Sequence, residues 1–348
     1  MQSEPYISVV VPVYNGGVQL EQCLAALLAS DFRAREIIVA DDASTDASAA
    51  TARSLGVAVV SLAARSGPAA ARNHGARRAR GEVLLFIDAD VVVRRDTLAR
   101  VAATFRARPD IAAVFGSYDD APEAANFVSQ YKNLLHHHVH QQASAEAATF
   151  WAGCGAVRRA AFERAGGFDA VKYARPSIED IELGYRLRRG GGKIILDREL
   201  QVKHLKRWTL AVLLRTDIHA RALPWTRLIL EQGALINDLN LRVAQRVCAA
   251  LTGTALVLLA LSYFNALLAA FSLVALAIVA LINLPLLRFF ARRRGAWFAA
   301  RAFGLQLLYY FYSGTVFALC YAAHALKRAR AGVGLDGRRA SAGTGTNR

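Results

Sequence analysis

Asp88 and Asp90, separated by one alanine, close the apolar run "GEVLLFIDADVVV", and a second acid pair, Asp41 and Asp42, closes "REIIVADDASTDAS". Carboxylates at the ends of buried strands repel an anionic substrate unless a hard divalent cation lies between them. The Asp88–Asp90 pair therefore predicts Mg2+ or Mn2+ bridging acid and phosphate. Asp41 and Asp42, followed by Ser44, also read as a plain helix start, where the dipole favours acids, and the two readings are compatible. Further on, "PSIEDIELGYRLRRGG" is patterned as a helix: Ser177 caps it, acids fill the first turn, arginines the last, and glycines stop it. Ile178, Ile181 and Tyr185 share its inward face. Glu179 and Asp180 therefore stand at its N-terminal end, facing a site and not the core.

The elements that must position these acids alternate. "ISVVVPVYN" is a β-branched strand closed by Pro, Asn and Gly, and Leu20, Leu24, Leu27 and Leu28 follow at helical spacing. A second strand ends at Asp41. A helix to Leu55, a short strand over Val57 to Val60, and a basic helix around Arg72 to Arg80 lead to the strand ending at Asp88. This order predicts an α/β fold, a mostly parallel sheet with helices on both faces, whose ligands bind beyond the carboxyl ends of the strands.

The chain has 348 residues and a net charge of +16. No Asp, Glu, Lys or Arg occurs from Val247 to Leu287 or from Ala302 to Leu326, and both runs exceed the roughly 18 apolar residues of a membrane span. The first is long enough for a helical hairpin turning at Tyr263, Phe264 and Asn265; the second is a third span. Arg242, Arg246, Arg288, Arg292, Arg293 and Arg294 flank the hairpin, so the positive-inside rule accounts for much of the charge and places these ends in the cytoplasm. Nucleic-acid binding is excluded as a reading, since no zinc-finger spacing or basic helix interleaved with aromatics occurs. "MQSEPYISVV" has no basic flank before a long apolar region, so no cleaved signal peptide is expected. Cys23, Cys154, Cys248 and Cys320 lack paired spacing and read as free thiols in a reducing compartment. "HHHVH", His136 to His140, has no nearby acid or cysteine to complete a zinc site and reads as a solvent-facing or acceptor-side helix.

Six motifs in order, "ISVVVPVYN", "VADDASTD", "GPAAARNHGARRARGEVLLFIDAD", "WAGCGAVRRAAFERAGGFDA", "SIEDIELGYRLRRGG" and "HLKRW", resemble the family 2 glycosyltransferases of the GT-A fold over about the first 210 residues. The resemblance implies that Pro12, Tyr14 and Asn15 line the nucleotide pocket and that Asp41 or Asp42, with Asp42 preferred, accepts from the base. It implies that Asp88 contacts ribose or sugar, that Asp90 holds the metal on the diphosphate, and that Arg72 and Asn73 lie near sugar and phosphates. Arg65 stands where the family often has Asn. Trp151, Gly153 and Gly155 fall on the acceptor side, where Trp151 stacks on a sugar face and the glycines let the backbone pass close to it. Asp180, with Glu179 beside it, is implied as the catalytic base. "HLKRW" replaces the Gln-x-x-Arg-Trp of processive members, with His204 in the Gln position. His204 then ligates the metal or binds diphosphate, Arg207 binds diphosphate, and Trp208 stacks on the acceptor; an interfacial Arg–Trp pair is the plainer alternative.

The expected organisation is a catalytic domain over 1–208, interfacial amphipathic helices over 209–245 broken at Pro224, transmembrane helices over 246–327, and a disordered basic tail over 328–348. The expected activity is inverting, metal-dependent transfer from a UDP- or GDP-type sugar to a hydroxyl of a glycan or lipid at the membrane. Transfer to polyprenyl phosphate and a non-catalytic nucleotide-sugar-binding scaffold are the alternatives. A base such as Asp180 favours a hydroxyl, because a phosphate nucleophile has no proton to lose.

Overall fold

The computed structural model describes residues 5–233 and 242–342, with side chains as far as Arg328. Two compact units divide the chain. One is built on Met1–Leu214 and Pro285–Ala302, the other on Arg215–Leu235, Val243–Leu284 and Phe303–Arg348.

The first unit opens with the expected alternation: β1 (Ile7–Val13), α1 (Gly17–Leu28), β2 (Arg35–Asp41), α2 (Ser48–Ser54), β3 (Ala58–Ser61), α3 (Pro68–Arg78) and β4 (Val83–Ile87). These strands are parallel in the order β3-β2-β1-β4, with Val10 paired to Ile38 and Phe86. Then come β5 (Val91–Val92), α4 (Thr97–Ala107), β6 (Ile111–Tyr118), α5 (Phe127–Gln141), β7 (Glu146–Ala147), β8 (Cys154–Arg158), α6 (Arg159–Arg164), α7 (Glu179–Arg189) and β9 (Lys193–His204). β8 is antiparallel to both β4 and β6, β9 runs parallel to β6, and β5 and β7 pair antiparallel with β9. Parallel pairing thus dominates only the first half, and the sheet as a whole is mixed. β8 enters from the far side, which carries the "WAGCG" stretch to the carboxyl ends of the parallel strands.

Strand alternation splits the core into two layers. Val9, Val11, Leu85 and Ile87 face Leu20, Leu24 and Leu27 of α1 and Val101 and Phe105 of α4; Val10, Ile38, Leu84 and Phe86 face Ala69, Ala71 and Ala76 of α3 and Phe162 of α6. Leu24 is fully buried, so Leu24→Ala would cost about 2–5 kcal/mol.

The stretch 285–302 also belongs to this unit, not to a membrane domain beginning at 246. Phe290 meets Tyr131 at 6.0 Å between ring centroids and Phe298 meets Phe127 at 5.1 Å, while Arg293 pairs with Asp120 and Arg294 donates to Gln130 at 2.7 Å. Two of the arginines that flank the expected hairpin are therefore engaged by protein. The helices here are α12 (Leu284–Arg294) and the start of α13, introduced below.

Short helix α8 (Leu210–Arg215) ends the first unit, and the second begins with a π-helix over Thr216–Ala222 that runs into α9 (Leu223–Gln232). The break expected at Pro224 is absent. Proline stands in the first turn of α9, and the wide π turns before it absorb the missing N–H donor. α10 (Val243–Leu261) and α11 (Leu267–Ile282) are joined through Tyr263, Phe264 and Asn265, whose Oδ1 accepts from the Leu267 amide at 3.0 Å. α13 (Ala296–Ala342) completes the chain's elements. Tyr310 Oη bonds Gln245 Oε1 at 2.7 Å and Asn283 Oδ1 at 2.8 Å, and Asn283 donates to Cys248, so a buried polar cluster joins α10, α11's end and α13.

Two helices are long and apolar enough to cross a membrane, Val243–Leu261 and Ala296–Arg328, and a broken pair, Leu267–Ile282 with Leu284–Arg294, makes a third if taken as one span. α13 runs on through Ala342, so helix occupies most of the tail expected to be disordered, while residues 343–348, and 234–241 within the expected interfacial segment, lie outside the described residues.

Candidate active site

Four parallel strands and the incoming β8 bring the predicted acids to one edge of the sheet. β2 ends at Asp41, and Asp42 follows it. Asp41 Oδ1 accepts from the Ser44 amide at 3.0 Å, whereas Asp42 spends both oxygens, one on Ser66 N at 2.6 Å and one on Gly67 N at 2.8 Å. Both are buried. Asp42 thus braces the loop before α3 with both oxygens engaged, whereas Asp41 has one oxygen on an amide. Pro12 is buried within β1, and Tyr14 and Asn15 are exposed just past it. Asn15 adopts a left-handed φ of 53°, and its Oδ1 accepts from Thr45 N at 2.8 Å, so it holds the loop after Asp42 instead of pointing into open space.

The second acid pair divides in the same way. Arg72, buried on α3, donates to Asp88 Oδ1 at 2.7 Å and to Glu179 Oε1 at 2.8 Å. Burial raises the pKa of Asp88, the Arg72 charge opposes this, and the nearby Asp90 adds to the rise. Asp90 goes the other way. Burial again opposes its charge, but the hydrogen bond and charge of His204 and the charge of Lys206 prevail and lower its pKa. His204 Nε2 lies 3.6 Å from Asp90 Oδ2 because β5 pairs Val91 with His204.

Among the described residues no group of three or more His, Cys, Asp or Glu forms a metal cage. Asp90 and His204 offer one oxygen and one nitrogen donor, with Asp88 drawn away by Arg72. A two-donor set fits Mg2+ or Mn2+, which fill their remaining positions from substrate phosphates and water.

Asp180 is half-buried at the start of α7. Its Oδ2 accepts from Ala152 N at 3.1 Å and its Oδ1 from Ile181 N at 2.8 Å. Burial and then Glu179 push its pKa up to about 6, against Arg72 and those two amides. A carboxyl group tuned there is mostly ionised at neutral pH yet basic enough to take a proton. Glu179, by contrast, lies buried, with Oε2 on the Ser177 amide at 2.9 Å and Oε1 on Arg72. It is a strut. Ser177 does not cap the helix: Ile178 occupies the N-cap position, and the Glu179 side chain holds the preceding turn.

Several residues expected to meet ligand are also engaged within the protein. Asn73 closes a two-way bond with Phe168, donating to its carbonyl at 2.7 Å and accepting from its amide at 2.9 Å. A Cβ at Gly153 would stand 2.4 Å from the Trp151 ring, and one at Gly155 2.2 Å from the Trp151 carbonyl oxygen. Both glycines are thus required by Trp151, with no sugar needed to explain them. Trp208 is buried, with Lys206 over its ring at 4.4 Å and its amide bonded to Ser129, so it offers no open stacking face. Arg207 is exposed.

Trp151 itself is half-buried in an aromatic cluster that the sequence reading missed. Tyr118 lies edge-on to it at 4.9 Å and stacks on His204 at 4.0 Å, while His136 lies 4.8 Å from Trp151. The missed signal was "SYDD", another strand ending in acids. His137 and His140 are buried and bond the carbonyls of Tyr118 and Gly116, so that helix face is not turned to solvent.

Comparison with known proteins agrees with this layout. Residues 8–166 match the model of glycosyl transferase family 2. An uncharacterized glycosyltransferase of Haemophilus influenzae is 34% identical over 101 residues, 28% of this chain, and the glycosyltransferase GlyG of Streptococcus pneumoniae is 32% identical over 123 residues, 34% of this chain. Each match spans 40% of the relative's length. The fold is similar to that of the mannosyltransferase PcManGT from Pyrobaculum calidifontis, solved in complex with GDP-Man and Mn2+, with a TM-score of 0.58 at 19% identity over 91% of this chain and 88% of that one. Over residues 8–166 the chain is thus similar to glycosyl transferase family 2, and its fold is similar to that of the mannosyltransferase.

Proposed function

We propose that the chain is an inverting glycosyltransferase that moves a sugar from a UDP- or GDP-type donor to a hydroxyl of a glycan or lipid held at the cytoplasmic membrane, with its catalytic unit in the cytoplasm. The observation that carries this reading is Asp180: a half-buried carboxylate with a pKa near 6, tied through Glu179 and Arg72 to the strand-end acid Asp88. In this reading Asp180 accepts the acceptor hydroxyl's proton while that oxygen attacks the anomeric carbon. The bond from that carbon to the diphosphate oxygen breaks in the same displacement, and the diphosphate leaves with its electron pair. Asp90 and His204 would hold a divalent ion, which supplies charge neutralisation for the diphosphate. The GDP-Man and Mn2+ of the mannosyltransferase neighbour support both the donor class and the ion. Asp41, with Tyr14 and Pro12, would receive the base, and Trp151 with its aromatic neighbours the acceptor.

The test uses the purified full chain with labelled sugar nucleotide and membrane lipid extract. Transfer should appear with Mn2+ and fall about 10²–10⁴-fold in Asp180→Asn at unchanged donor affinity. The product should survive mild acid as a glycoside does. An acid-labile product formed equally well by Asp180→Asn would instead show transfer to a phosphate.

A further inference from the structure

Arg65 lies in the loop before α3, against Tyr14 of the proposed donor site. Its guanidinium lies 3.9 Å from the ring centroid of Tyr14, and both side chains are exposed. Among the described residues Arg65 has no hydrogen bond or ion pair, so stacking holds the group while leaving its N–H donors available. Its backbone is nonetheless placed, because the next two amides, Ser66 and Gly67, are both bonded to Asp42. Asp42 adjoins Asp41, whose carboxylate has one oxygen on Ser44. A planar fork of donors therefore lies over one exposed aromatic ring, and a carboxylate-bearing residue stands beside it in the sheet, since Asp41 pairs with Val13.

Those two groups match a guanine better than a uracil. Guanine has two adjacent acceptors, N7 and O6, which an arginine fork engages together, and two adjacent donors, N1–H and N2–H, which a carboxylate accepts together. Uracil alternates O2, N3–H and O4, so it offers neither group a paired partner. We propose that Arg65, stacked on Tyr14, selects a guanine nucleotide as donor, with Asp41 on the adjoining edge of the base. The inference rests on the donor-site reading above and adds to it the identity of the base.

The full-length protein, the Arg65→Ala variant and the Arg65→Lys variant should each be titrated with GDP and with UDP in saturating Mn2+. For the unmodified protein GDP should bind at least about tenfold more tightly than UDP, the size of one bidentate base contact. Arg65→Ala should bring that ratio close to one mainly by weakening GDP. Arg65→Lys keeps the charge and loses the fork, so its ratio should fall likewise. Equal or tighter UDP binding by the unmodified protein, or a ratio preserved in either variant, would overturn the assignment of the base while the donor site stands. Failure of both nucleotides to bind the unmodified protein would instead remove the donor site and this inference with it.

Discussion

The two strand-end acid pairs are alike in sequence and unlike in what holds them. At Asp41–Asp42 the structural member is bound by neutral amides of a nearby loop, Ser66 and Gly67. At Asp88–Asp90 it is bound by Arg72, which reaches 107 residues along the chain to Glu179. The first arrangement fixes a local loop, the one carrying Arg65. The second fixes a whole helix, the one carrying Asp180. In each pair one carboxylate builds the frame, and the other keeps capacity toward the site. In the proposed site, doubling the acid would separate holding the fold from meeting the ligand.

Substitutions that treat the two members of a pair differently would sharpen this contrast, and the largest effect is expected at Asp90. Asp90→Asn should lower turnover by on the order of 10³-fold while the urea midpoint stays where it was, since its partner His204 is half of a ligand-facing pair. A shifted midpoint with normal turnover would reverse the roles within the pair. Next comes Arg72→Met, which strands Asp88 and Glu179 without their cation and should cost about 3–5 kcal/mol in chemical denaturation. A loss under about 1 kcal/mol would mean that this pair is no better tied than the first.

Asp42→Ala leaves two amides without their acceptor and should cost about 2 kcal/mol, against about 1 kcal/mol for Asp41→Ala. Equal losses would erase the division at that pair. The smallest effect concerns Asp180, whose folded pKa of about 6 exceeds the usual carboxylate value. The folded chain then binds more protons than the unfolded one between about pH 4 and 6. This group's contribution therefore favours folding at low pH and declines as pH rises through that window. Asp180→Asn should remove that slope and stabilise the chain by about 1 kcal/mol at pH 8 but not at pH 4, after allowance for solvent around a half-buried group. A difference of the opposite sign would contradict the raised pKa.

The strands, their acids and the helix of Asp180 were legible because local chemistry determines them: β-branched runs, strand-end polarity, and acids and arginines at opposite helix ends. At Asp41–Asp42 the acid left with capacity was not legible, and at Asp88–Asp90 the preference for Asp90 had no visible cause, because the deciding partners come from elsewhere. Ser66 and Gly67 decide for Asp42, Arg72 decides for Asp88, and a register between β5 and β9 decides for Asp90. The glycines beside Cys154 were read toward a sugar because sequence gives their freedom but not their neighbour, which is Trp151. Trp208 reads as a platform for the same reason: sequence shows an aromatic next to arginine but not Ser129 and Lys206, which enclose it. The basic stretch around Arg293 and Arg294 satisfied the positive-inside pattern and could not disclose that Asp120 and Gln130 would engage it.

The placement of β9 bears on when the site can come into being. Its strand lies between β6 and β5, and Leu205 N bonds the carbonyl of Asp90 at 2.9 Å, so the turn bearing Asp90 gains its last fastenings from residues made more than a hundred positions later. The parallel block β3-β2-β1-β4 closes through shorter loops and is able to assemble first. During synthesis the nucleotide half would precede the diphosphate half, and a chain stopped at residue 166, where the family match ends, would lack His204 altogether. In the proposed reading Asp90 would therefore meet His204 only once the ribosome has released β9, while residues 285–302 of the same unit are still to come.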